Sequence, residues 1–161
     1  MSREHRLKDQ LVKASEHLYY EYMMFMNLAN ALSTGVFGES VIKNAVLESF
    51  TVHTRNLLDF LYAEKPRNDD IIAIDFFEKP EAWSSNLPDK SPLLASTNQR
   101  VAKEIAHLTY NRVGVTPDEK PWKFLQIANE INSLFQRFRN LVPNELLDER
   151  WNDPAQPKEE Y

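Results

Sequence analysis

Apolar side chains recur every three or four residues through four long stretches of this chain, and this spacing constrains the fold more than any other feature. The stretches run from Arg6 to Ser33, from Ser40 to about Glu64, from Ser96 to Gly114 and from Pro121 to Val142. This period places the apolar side chains on one face of an α-helix, and that face must be buried. Few glycines and prolines interrupt these stretches, as long helices require.

We therefore predict an all-α fold in which four helices form a mainly antiparallel bundle. Ser40 is a suitable N-cap for the second helix. The region between helices 2 and 3, residues 65–95, is too long for an ordinary loop. It carries six large apolar side chains, namely Ile71, Ile72, Ile74, Phe76, Phe77 and Trp83. Because water disfavours such surface, we expect an aromatic-rich strap across the bundle, with a short helix around Asp70 to Glu78.

The prolines and the acidic residues near the end of the chain suggest a boundary. We predict one helical domain over residues 1–142 and an acidic, proline-containing tail over residues 143–161. The tail begins with apolar residues that can dock on the domain. Its later part is polar and contains proline, so we expect it to be disordered after about Asp153.

The charge and the amino-acid usage exclude several classes of protein. The net charge of −5 and the isoelectric point near 5.4 argue against a broadly basic nucleic-acid platform, although a local basic cleft is compatible with them. The chain has no cysteine, which excludes disulfides and thiolate catalysis. No apolar run is long enough to span a membrane, and the first ten residues are too polar for a signal peptide. We expect a soluble cytoplasmic protein.

Four polar residues in the third stretch lie on one line of a regular helix, at about 100° per residue. They are Arg100, Glu104, His107 and Asn111. A guanidinium can hold a phosphate while an imidazole moves protons at the 2′-hydroxyl or the leaving oxygen of RNA, and this reaction needs no metal or other cofactor. If helices 2 and 3 are neighbours, His53 and Asn56 face this line. The candidate catalytic residues are Arg100 and His107, and the other four are supporting groups.

Simpler structural interpretations of the same residues remain open. Arg100 and Glu104 are four residues apart and can form an ordinary ion pair on a helix. His53 can be a histidine at the edge of the core that is hydrogen-bonded to an acceptor. A metal site would use His53 and His107 with an acidic residue such as Glu48 or Glu104, which makes a metal-binding bundle enzyme a further alternative.

The two strings LESFTVHTRNLLDFLY and RVAKEIAHLTYNR, with Arg100 and His107 separated by six residues, resemble the second helix and the motif-bearing helix of the HEPN superfamily. The resemblance covers most of residues 5–142 as a pattern of helices. It implies a metal-independent ribonuclease of toxin or phage-defence type, and a homodimer in which two motif helices form the cleft. Arg100 and His107 are the positions that match the motif.

A non-catalytic alternative is a small regulatory or immunity protein that binds a protein partner. Its contact surface would be the aromatic strap together with the first helix, where Tyr19, Tyr20, Met23, Met24 and Met26 broaden the apolar face. Members of the HEPN superfamily include RNA-binding and partner-binding modules without catalytic activity, so the resemblance is compatible with this alternative as well.

Overall fold

The structure is a computed structural model that describes residues 5–106, 110–114 and 121–152. Within these ranges the chain is mostly helical and has no β-strand, so it is all-α as the sequence predicts. The α-helices are α1 (Lys8–Ser33), α2 (Val41–Tyr62), α3 (Glu81–Ser84), α4 (Pro92–Arg100), α5 (Asn111–Gly114) and α6 (Phe124–Leu141). A π-helix, Val101–Ala106, continues directly from α4. No helix within the described ranges combines the length and the apolar character needed to cross a lipid bilayer.

Helices α1 and α2 form an antiparallel pair joined by a short turn. Two glycines with positive φ, Gly35 at 69° and Gly38 at 53°, let the chain reverse there, in a conformation that other residues rarely adopt. The Ser40 hydroxyl accepts a hydrogen bond from the Lys43 backbone N–H at 3.1 Å, which confirms the predicted N-cap of α2. The register brings the buried rings of Phe25 and Phe50 into a stacked contact.

The core is centred on the buried face of α6, which packs against α1 and α2. Phe138 lies in the middle of it, with its ring within contact distance of Phe60, Phe76, Phe77, Trp83 and Phe135. Tyr22 borders this cluster and donates a hydrogen bond from its hydroxyl to Asn132 Oδ1 at 2.6 Å. Burial raises the pKa of Tyr22, and the positive charge of Arg139 partly opposes this effect.

The segment between α2 and α4 contributes large apolar side chains to this core. Trp83 is buried and its indole N–H donates to the Leu61 carbonyl oxygen at 3.1 Å, which fixes the ring against α2. Ile72 and Phe76 are also buried. The short helix expected around Asp70 to Glu78 is a single 3-10 turn, Ala73–Phe76, with extended backbone on both sides.

The third long helix starts earlier than predicted, at Pro92 instead of Ser96. The Ser91 hydroxyl caps it by accepting from the Leu94 N–H at 3.1 Å, and Pro92 occupies the first turn, where a missing N–H costs nothing. The same hydroxyl donates to the Glu130 carboxylate, which ties the start of α4 to α6.

The beginning of the predicted tail docks on α1. Leu147 and Trp151 are buried, and the Trp151 indole N–H donates to the Ser15 carbonyl oxygen at 2.8 Å. The Asp148 N–H donates to the Ser15 hydroxyl at 2.6 Å, and Arg150 pairs with Glu16 at 2.5 Å. The apolar start of this segment predicts the contact. The expected disorder after Asp153 lies outside the described residues.

Candidate functional site

Arg100 lies at the C-terminal end of α4, and other side chains hold its guanidinium in place. Its Nε donates to both carboxylate oxygens of Glu104, at 3.2 and 3.1 Å. Its Nη1 donates to the Pro121 carbonyl oxygen at 3.3 Å. The guanidinium carbon lies 4.1 Å from the centre of the Trp122 ring, the geometry of a cation–π contact. The ion pair that the spacing of Arg100 and Glu104 allows is therefore present.

These residues line an open groove of about 790 Å³, which we call the Arg100 groove. Its walls come from the turn between α1 and α2, from the start of α2, from the π-helix and from the segment leading into α6. The lining is mostly apolar, with two cations and two carboxylates among the rings: Phe37, Glu39, Lys43, Leu47, Arg100, Glu104, Trp122 and Phe124. The arrangement offers a flat aromatic face beside a cation, which suits a planar group that carries a negative charge.

The backbone changes its helical geometry immediately after Arg100. From Val101 to Ala106 the chain is a π-helix, whose i→i+5 hydrogen bonds give more residues per turn than an α-helix. An α-helix rotates by about 100° per residue, and this rotation would place Glu104, His107 and Asn111 on the same side as Arg100. A π-helix rotates by less per residue, so this alignment does not hold from Val101 to Ala106. Two predicted site positions follow the π-helix. His107 lies outside the described residues, and only the backbone of Asn111, in α5, is described.

The other two predicted supporting residues, His53 and Asn56, meet at a carboxylate of α1. His53 Nδ1 lies 2.7 Å from Glu21 Oε2, and Asn56 Nδ2 donates to the same oxygen at 2.9 Å. The His53 side chain is 9% exposed, and its ring makes an edge contact with the Tyr20 ring. His53 is thus a histidine at the core edge with an acceptor, which is the structural interpretation that its position in an apolar stripe favours.

Sequence reasoning missed Glu21. The register of the helix pair could have predicted it. Phe37 lies in the turn between α1 and α2; Glu21 is 16 residues before it and His53 is 16 residues after it (37 − 21 = 53 − 37). In an antiparallel pair, positions equally far from the turn lie opposite each other.

Glu21 and Asn56 line a second pocket of about 610 Å³, which we call the Glu21 pocket. It lies between α1, α2 and the segment that follows α2. Polar and charged groups of both signs dominate its lining, among them His17, Glu21, Arg55, Asn56, Asp59, Tyr62, Arg67, Asp70 and Lys90. The predicted site residues are therefore divided between two places: Arg100 and Glu104 line the Arg100 groove, whereas Asn56 lines the Glu21 pocket.

Tyr62 in this pocket is a neutral hydrogen-bonding group. Burial raises the pKa of its phenol, and the negative charges of Glu130 and Asp89 raise it further, so the hydroxyl keeps its proton at neutral pH. Lys90 Nζ lies 5.0 Å above the Tyr62 ring and 3.4 Å from Glu64.

No family model, curated protein or solved structure matches this chain. The site must therefore be interpreted from its own residues. Among the described residues, no group of three or more histidine, aspartate or glutamate side chains is arranged to hold a metal ion.

Proposed function

We propose that this chain is a HEPN-like helical domain that binds RNA in the Arg100 groove and cleaves it without a metal ion. In this proposal α1, α2, α4 with its π-helix, and α6 form a mainly antiparallel four-helix bundle. The segment between α2 and α4 is the strap across it. The cytoplasmic location and the role as a toxin or phage-defence nuclease belong to the same proposal, as does a homodimer with two motif helices at its centre.

The observation that carries the proposal is the position of Arg100, with its guanidinium beside the Trp122 ring in an open groove. Single-stranded RNA presents phosphates and unstacked bases, and proteins bind these with guanidinium groups and aromatic faces respectively. Lys43 adds a second cation to the lining, where it pairs with Glu39. The π-helix after Arg100 gives further support, because an interruption of this kind inside a helix is frequent at functional sites.

Glu104, predicted as a supporting group, is the partner of Arg100 in this mechanism. Its two carboxylate oxygens both accept hydrogen bonds from the Arg100 Nε. A phosphate oxygen would compete with Glu104 for the same guanidinium N–H groups. In the proposed reaction Arg100 holds the phosphate, and His107 acts as general acid or base at the 2′-hydroxyl or the leaving oxygen.

The test is cleavage of single-stranded RNA in the presence of EDTA. We expect the unaltered chain to cleave RNA, and His107→Ala to reduce the rate by about 10²- to 10⁴-fold, the usual contribution of a general acid or base. Arg100→Ala should weaken RNA binding, and Arg100→Lys should restore it only partly, because lysine lacks the planar group. Arg137→Ala is the matched control, since Arg137 is exposed on α6 and, within the described ranges, donates to a backbone oxygen, that of Asn86, at 3.0 Å.

Cleavage that is equally fast in His107→Ala would show that His107 is not catalytic. RNA binding that is unchanged in Arg100→Ala would remove the Arg100 groove from the proposal. Dependence of the activity on an added divalent ion would contradict a metal-independent reaction.

The second candidate function is a non-catalytic protein that binds a partner, and one observation favours it. Three apolar side chains around the turn between α1 and α2 are largely exposed: Val36 at 74%, Val41 at 84% and Ile42 at 63%. They are close in sequence to Phe37 and Lys43, which line the Arg100 groove. Exposed apolar surface of this kind is typical of protein contacts. A chain that neither binds nor cleaves RNA would be consistent with this second function.

A further inference from the structure

The Glu21 pocket is separate from the Arg100 groove, and the proposed ribonuclease does not use it. Its volume of about 610 Å³ lies within the range of small-molecule sites in proteins. It is bounded by two long helices and by the segment after α2, and a hydrogen bond from Arg6 to the Asn68 carbonyl oxygen ties that segment to the start of the chain.

The distinctive group of this pocket is the Glu21 carboxylate, which other residues hold in one orientation. His53 and Asn56 both contact the same oxygen, Oε2, at 2.7 and 2.9 Å. His53 is nearly buried and Tyr20 packs on its ring, so the imidazole is a rigid support behind the carboxylate. Holding a carboxylate in place before a ligand arrives reduces the entropy that binding must overcome.

The chemistry of this arrangement selects a cation. Glu21 lines the pocket and its side chain is partly exposed, at 26%, so its charge is accessible to a ligand there. The Asn56 carboxamide also lines the pocket and, having donated through Nδ2, offers its oxygen as a second acceptor. A carboxylate and a neutral acceptor together suit a group with several N–H donors and a positive charge.

The remaining lining explains why we favour a small organic cation. Tyr62 and Ile71, which is 42% exposed, provide an aromatic and an aliphatic surface for the carbon chain of a ligand. Two of the four lysine and arginine side chains in the lining pair with acids: Arg55 with Asp59 at 3.5 Å, and Lys90 with Glu64. The other two are Lys65 and Arg67. The two ion pairs reduce the repulsion that a cationic ligand would meet.

We propose that the Glu21 pocket binds a small molecule with a guanidinium or primary ammonium group, held by the Glu21 carboxylate. The probes are agmatine, which carries both groups, and L-arginine, which adds a carboxylate. Isothermal titration calorimetry of the full chain at neutral pH and low salt should show saturable binding of at least one probe with a stoichiometry of one.

The decisive variant is Glu21→Gln, which keeps the shape of the side chain and removes its charge. We expect it to weaken binding by about 10- to 100-fold, the usual effect of losing one charge-assisted hydrogen bond. Glu48→Gln is the matched control, because Glu48 is exposed on α2 and is not part of the pocket lining; its binding should be unchanged. Asn56→Ala is a second variant, with a smaller expected loss, and circular dichroism verifies that each variant is folded.

Absence of saturable binding for both probes would overturn this proposal, as would equal affinities of Glu21→Gln and the unaltered chain. The RNA experiment is independent of this result, because its variants change Arg100 and His107 and leave the Glu21 pocket intact.

Discussion

The aromatic core around Phe138 and the Arg100 groove use the same types of residue for opposite purposes. In the core, rings contact other rings, and the indole N–H groups of Trp83 and Trp151 reach backbone oxygens. In the groove, Trp122 is only half-buried: it packs against the edge of the core, and the Arg100 guanidinium lies over its ring. A ring enclosed by other rings stabilises the fold, whereas a half-open ring beside a charge is available to a ligand. The comparison shows that enclosure separates the two roles.

The largest expected effect is on the core side of this comparison. Phe138→Ala removes a buried ring that contacts five other aromatic residues, so we expect the free energy of unfolding to fall by about 3–5 kcal/mol. Urea denaturation followed by circular dichroism measures this change. Leu125→Ala on the same helix is the control, because Leu125 is 47% exposed and should cost far less. A loss below about 1 kcal/mol for Phe138→Ala would show that the cluster is not a close-packed core.

A smaller effect is expected where the docked C-terminal segment meets α1. Ser15 is fully buried, and its hydroxyl accepts from the Asp148 N–H while donating to the Val12 carbonyl oxygen at 2.7 Å. Ser15→Ala leaves the Asp148 N–H without this acceptor, so we expect a loss of about 1–3 kcal/mol. Ser133→Ala is the control, because Ser133 is exposed and its hydroxyl donates to the Asn129 carbonyl oxygen of the same helix. If Ser15→Ala and Ser133→Ala are equally stable in urea, the hydrogen bond between Ser15 and Asp148 does not stabilise the fold.

The smallest expected effect is on the stability of the groove. Arg100→Ala removes an ion pair and a cation–π contact that are partly open to water, so we expect a loss of at most about 1 kcal/mol. The same urea titration measures it. A loss as large as that of Phe138→Ala would mean that Arg100 is part of the core, and it would end the contrast between the two regions. A small loss also validates the RNA-binding experiment, since the variant would then remain folded.

The sequence predicted the ends of a helix well where residues next to the helix, such as an N-cap serine, determine them. The first helix was expected from Arg6 to Ser33 and spans Lys8–Ser33, and Ser40 caps the second as predicted. The start of α4 was missed because Ser91 and Pro92 look like loop residues unless the N-cap and first-turn preferences are applied to them. The π-helix was missed for a different reason, because an apolar repeat does not reveal a switch from i→i+4 to i→i+5 hydrogen bonds.

The candidate site was less accessible to sequence reasoning than the helices, since it depends on contacts between elements. The sequence spacing of Arg100 and Glu104 allowed their pairing to be predicted, although Glu104 lies in the π-helix. The stacking of Arg100 on Trp122 joins residues 22 positions apart (122 − 100), and no periodicity predicts it. Glu21 likewise contacts His53 only because a turn of defined length sets the register of α1 and α2.

The docking of Trp151 on Ser15 has a consequence for how the molecule is made. The two residues are 136 positions apart, so α1 leaves the ribosome long before the indole that covers part of it has been translated. Until then the Ser15 carbonyl oxygen and the Tyr19 ring, which Trp151 also touches, lack this cover. Closing so long a loop is slow compared with forming a helix, so this part of α1 is covered only after the turn Glu149–Trp151 has been translated.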